Sequence, residues 1–158
     1  MKKVIAVILA IGMVCSLVAC GAAPSNNGNG SSAKEETTIE DVQQWYNNQK
    51  TVINQSLEDY AKSVNGLSSV SVSSNKFRFG EDLGWYDCHY TLNFSCKING
   101  VNHIGEARAF VKYQDSEIHW FHFEIFSNDS YQSVVEEYDE EYDQIIEDYY
   151  HELQDKYK

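Results

Sequence analysis

The side chains whose types and spacing could do chemistry are Cys88, Cys96, His103, His119, His122 and Glu124. Cys88 and Cys96 share a face of one apparent strand but stand eight residues apart. That is roughly 26 Å, against the 7 Å or so between Cα atoms that a disulfide allows. They read as buried thiols acting as small hydrophobes. Cys96 falls opposite His103 and could offer a metal two ligands, but no third ligand lies nearby, so no metal is expected. His119 and His122 are three residues apart and point to opposite faces of a strand. His122 and Glu124 share a face. If it turns inward, Tyr90, Ala107 and Ala109 would complete a pocket with them, roomy because two of its members are small. No nucleophile elbow, glycine-rich phosphate loop, zinc-ligand helix motif or calcium loop occurs, so neither a catalytic residue nor a cofactor is assigned.

The elements that must position these residues are organised around Trp85 to Tyr113. Cys88, Tyr90, Leu92, Phe94, Cys96 and Ile98 alternate with polar residues, the period of a strand with one buried face. Asn99-Gly100 suits a two-residue type I′ turn. Ile98 then meets Val101, Cys96 meets His103, Phe94 meets Gly105, Leu92 meets Ala107, Tyr90 meets Ala109 and Cys88 meets Val111. Asp87 falls beside Lys112 on the other face.

The next strand, 118–126, has two registers. A two-residue loop at Asp115-Ser116 sets Ala107 against Glu124 and Ala109 against His122, and turns Phe121 and Phe123 outward with Phe110 as an exposed patch. A longer loop or a bulge shifts the strand by one and returns Phe121, Phe123 and Ile125 to the core. Burying Glu124 unpaired would cost several kcal/mol, which favours the shifted register.

Upstream, Thr37 with Glu40 makes a capping box. Val42, Tyr46, Gln49, Ile53, Leu57, Tyr60 and Val64 then form a stripe at helical spacing, and Asn65-Gly66 ends the helix. Leu67 to Phe79 reads as an irregular edge strand. Downstream, Tyr131, Val135, Tyr138, Tyr142, Ile145, Tyr149, Leu153 and Tyr157 suggest one acidic helix over 129–158, capped by Asn128 or Asp129. About thirty residues would make some 45 Å of helix, so its end, from Glu147, is expected to project. The expected fold class is α+β: an N-terminal helix on a four-stranded antiparallel meander, followed by that acidic helix. This order of elements resembles the cystatin-like and nuclear-transport-factor-2-like rolls, a likeness of architecture that implies little about function.

The N-terminus bears on location. Lys2 and Lys3 precede an apolar run too short to span a bilayer, as in a secretory signal. Leu17-Val18-Ala19-Cys20, followed by Gly21, resembles the lipobox of bacterial lipoproteins. The resemblance implies a signal peptide over 1–19, cleavage before Cys20 and acylation of its sulfur. It places the chain on the extracytoplasmic face of the cell membrane, as in a Gram-positive-type bacterium. Residues 20–36 have the Gly, Ser and Asn composition of a flexible tether, and 37–158 is long enough for one domain. Loss of Lys2 and Lys3 moves the formal charge from -12 to -14, which disfavours nucleic acid and anionic lipid. Three functions follow. One is a non-enzymatic binding module whose contact surface is the sheet-helix cleft or the acidic helix, the helix meeting an envelope protein. Another is a roll-type enzyme built on His122 and Glu124. The third is a homodimerisation domain using Phe110, Phe121 and Phe123.

Overall fold

The computed structural model describes residues 36–158 except Leu83 and residues 129–131. The signal, the lipobox Cys20 and almost all of the tether lie outside the described residues. Thr37–Lys158 forms one compact unit with the element order α1 (Ile39–Asn48), α2 (Lys50–Asn65), β1 (Ser68–Asp82), β2 (Trp85–Ile98), β3 (Val101–Phe110), β4 (His119–Phe126), β5 (Ser133–Tyr138) and α3 (Glu141–Tyr157). The strands form an open antiparallel sheet in the order β1-β2-β3-β4-β5. The class is α+β, with five strands rather than four.

The helical stripe folds much as its spacing requires. Val42, Tyr46, Ile53 and Leu57 are buried against the sheet. Two details differ from expectation. The capping box is Thr38 with Asp41, one residue on from Thr37 and Glu40. There Asp41 is pulled below its ordinary carboxylate range, first by the Thr38 backbone N–H and then by its hydroxyl. The helix also divides at Gln49, whose N–H donates to Tyr46 O three residues back, a tightened turn at the one polar position of the stripe. Gly66 closes α2 at φ 61°, a conformation open to glycine.

The β2–β3 register matches the sequence reading from Ile98↔Val101 through Tyr90↔Ala109. It stops there. Cys88 does not pair with Val111, and Asp87 meets Arg78 at 3.3 Å instead of Lys112, whose Nζ lies over the Tyr149 ring. The reason is α3, which packs beside the part of β2 that outruns β3. Tyr149 meets Phe110 edge-on and accepts the Tyr113 N–H, while Tyr150 meets Phe79 edge-on and stacks on Tyr86.

β4 takes the shifted register, with Ala107↔Phe123 and Arg108↔His122. A bulge between Arg108 and Ala109 then shifts the pairing by one residue more, to Ala109↔Trp120. Phe121, Phe123 and Ile125 are consequently buried.

The acidic segment departs most from expectation. Instead of a single helix over 129–158, Ser133–Tyr138 forms β5, and only Glu141–Tyr157 is helical. Val134, Val135 and Tyr138 carry strand propensity, and β4 offers an open edge on which to realise it. The remaining 17 residues make a helix of about 25 Å, short enough to lie on the domain. Its end does not project: Tyr150 and Leu153 are buried, Tyr157 packs on Tyr113, and the inward residue is Ile146 rather than Ile145.

Candidate functional site

Period-two alternation gives the sheet two faces with different environments. α1 and α2 cover the inner face. On the outer face, cross-strand neighbours line up in rows that follow directly from the registers. One row runs Lys76, Thr91, Arg108, His122 and Tyr138; the next runs Ser74, Asn93, Glu106, Glu124 and Glu136. Three carboxylates therefore stand side by side on β3, β4 and β5. Like charges directly opposite one another destabilise a sheet.

His122 sits at the centre of this arrangement. Its Nδ1 lies 3.8 Å from Glu106 Oε1 and its Nε2 3.5 Å from Glu124 Oε2. Arg108 Nε donates to the same Glu106 oxygen at 3.1 Å. The His122 side chain is 12 % exposed, against 28 % for Glu106 and 21 % for Glu124, so the charges are partly drawn out of water. Nδ1 is buried without a hydrogen-bond partner. Tyr138 meets the imidazole edge-on and donates its hydroxyl to Asp143 at the start of α3. That carboxylate, ahead of burial, raises the Tyr138 phenol.

The outer face continues to a second histidine. His89 is buried, edge-on to Phe121, with Nδ1 3.3 Å from Asp87 Oδ1. Burial holds its pKa below the ordinary imidazole value, with Arg108 and Arg78 adding to the effect and Asp87 and Asp143 opposing it. The neutral ring is the form this site accommodates.

The residues expected to make a pocket are not brought together. Tyr90, Ala107 and Ala109 lie on the inner face at 0 % exposure, whereas His122 and Glu124 lie on the outer one. The space beside the two alanines is filled by Phe123 and Trp120, with Tyr60 of α2 stacked on Trp120 and edge-on to Phe123. Tyr90 spends its hydroxyl on Tyr46 O at 2.6 Å. Phe110, Phe121 and Phe123 are likewise buried and form no exposed patch. Cys88 and Cys96 are free and buried. Burial pushes the Cys88 thiol up to about 12, away from the reactive thiolate. Cys96 does face His103, but His103 Nδ1 is engaged by Phe126 O at 3.0 Å. Among the described residues no group of three or more His, Cys, Asp and Glu side chains is arranged to hold a metal ion. His119 is separate, held by the Tyr142 hydroxyl at 2.9 Å.

Sequence reasoning missed Glu106, Glu136, Asp87 and His89 as members of one surface. A signal existed for Glu106, because the shifted β4 register sets it beside Glu124. None existed for Glu136 while its segment was read as helix.

Among the described residues, this arrangement sets three carboxylates and the His122 imidazole together on the outer face of the sheet. No protein-family model, no curated protein and no solved structure matches the chain.

Proposed function

We propose that this chain is a lipid-anchored extracytoplasmic binding module, attached to the membrane through Cys20 and recognising its partner with the outer face of the sheet. The observation that carries the reading is the contrast between the two faces. The inner face is packed solid, while the outer one holds Glu106, Glu124 and Glu136 in a row of like charge with His122 beside it, partly drawn out of water. Local conflicts of this kind are expected where a surface serves binding rather than stability. The Cys20 lipobox and the tether supply the anchor, since two or more acyl chains hold stably where one does not. α1 and α2 laid on an antiparallel meander support the likeness to cystatin-like and nuclear-transport-factor-2-like rolls; β5 and α3 depart from it.

Two measurements test the reading. Fatty-acid labelling should follow Cys20 and vanish in Cys20→Ala; equal labelling of both removes the anchor. In cells lacking the protein, Glu124→Gln with Glu136→Gln should fold normally yet fail to restore the wild-type phenotype. Full restoration by that variant removes the outer face as the binding surface.

A further inference from the structure

Among the described residues β5 has β4 as its single neighbour in the sheet order, so the carboxylate row ends there at an open sheet edge. We propose that the β5 edge accepts an extended basic segment of a partner protein, added as a sixth strand whose alternate Lys or Arg side chains extend the Glu106, Glu124, Glu136 row. This inference rests on the binding-module reading and names the partner's chemistry.

Charge chooses the occupant. Glu136 faces outward opposite Glu124 across the β4–β5 ladder, a pairing unfavourable in itself. Arg108 already serves Glu106, and His122 stands between Glu106 and Glu124, its Nδ1 making no hydrogen bond. A cation beside Glu136 relieves the repulsion at the end of the row that, among the described residues, has no such neighbour. The same charges exclude another copy of this chain, since antiparallel pairing of two β5 strands would set Glu136 and Glu137 against their own kind, a device that keeps edges from self-association. Glu137 is held on the inner side by the Tyr60 hydroxyl at 2.9 Å, which fixes the strand's register and keeps Glu136 outward. Val134 and Tyr138, 49 % and 46 % exposed, flank Glu136 and offer apolar cover to the methylene stems of lysines. Main-chain hydrogen bonds at such an edge supply affinity and the alternate side chains supply selectivity.

The test titrates the full chain with a fluorescent Thr-Lys-Thr-Lys-Thr-Lys-Thr peptide and with the same peptide N-methylated at alternate residues, reading anisotropy and the exchange of the β5 amides. Strand addition predicts saturable binding with new protection over Ser133–Tyr138. It also predicts at least tenfold weakening on N-methylation and in Glu136→Lys, and no change in Glu152→Lys on α3. Glu136→Gln, which keeps the residue's size, should weaken binding in the same direction and guards against misfolding of the lysine variant. Indifference to N-methylation, or equal weakening by Glu152→Lys, overturns the proposal. If the basic peptide fails while a Thr-Ser-Thr-Ser-Thr-Ser-Thr peptide shifts the outer-face amides, the inference falls and the binding-module reading stands. If neither peptide shifts them, both fall.

Discussion

Phe94 lies across Gly105 so closely that a Cβ built on the glycine would stand 2.8 Å from Phe94 Cε1 and 2.5 Å from the carbonyl oxygen of Glu124. The bare glycine lets β2, β3 and β4 come together under one ring, which also stacks on Phe123 at 5.2 Å. The inner core and the outer carboxylate row thus share a constraint, because Glu124 supplies both the crowded carbonyl and the central acid. Gly105→Ala should destabilise the domain by about 2 kcal/mol or more, through backbone displacement. Phe94→Ala should cost about 3 to 5 kcal/mol. Urea unfolding measures both; a loss below about 1 kcal/mol for Phe94→Ala would contradict the packing.

The pH dependence follows from His89. Its folded pKa is depressed, first by burial, while the unfolded chain titrates near 6.5. Neutral His89 therefore contributes fully above about 6.5, and this contribution is lost as pH falls toward the depressed folded value. His89→Gln should flatten the part of the stability profile just below that pH. Unfolding free energies of both proteins at pH 7.5 and 5.5 provide the check: the wild type should lose more between them, and parallel losses would show that His89 is not the group responsible.

The thiols should be silent. Cys88 and Cys96 are both 2 % exposed or less, and Cys88 has a raised pKa. Labelling of the native protein by a thiol reagent should be slower by orders of magnitude than in urea. Rapid native labelling at either position would place that strand in a different register.

Deleting residues 147–158 should unfold the domain. The segment carries the buried Leu153 and also Tyr149, Tyr150 and Tyr157, which pack on Phe110, Phe79, Tyr86 and Tyr113. Leu153→Ala alone should cost about 2 to 4 kcal/mol. A deletion that leaves the thermal midpoint within a few degrees would return α3 to the role of a projecting arm.

Much of this architecture is legible in the residues themselves. Alternation along 88–98 together with Asn99-Gly100 sets the β2–β3 register, because a one-residue slip would reverse every side chain. The desolvation cost of Glu124 identifies the shifted β4 register. The end of the chain is harder to read. Val135, Tyr138 and Tyr142 fit a helical stripe as well as Val134, Val135 and Tyr138 fit a strand, and only the free edge of β4, a tertiary feature, decides between them. The His122 and Glu124 pocket fails for a related reason: its small alanines suggest room that Trp120, Phe123 and Tyr60 occupy. The surface that remains depends on β5, and so on that same tertiary feature.

The central claim is that the outer sheet face, not the helical face, meets the partner. Photo-cross-linking in cells that express the protein tests this most directly, with a photoreactive residue placed at Glu124, at Glu136 or at Gln55 on the exposed side of α2. The account predicts one shared adduct from Glu124 and Glu136 and none from Gln55. Adducts from Gln55 alone, or equally from all three positions, would contradict it.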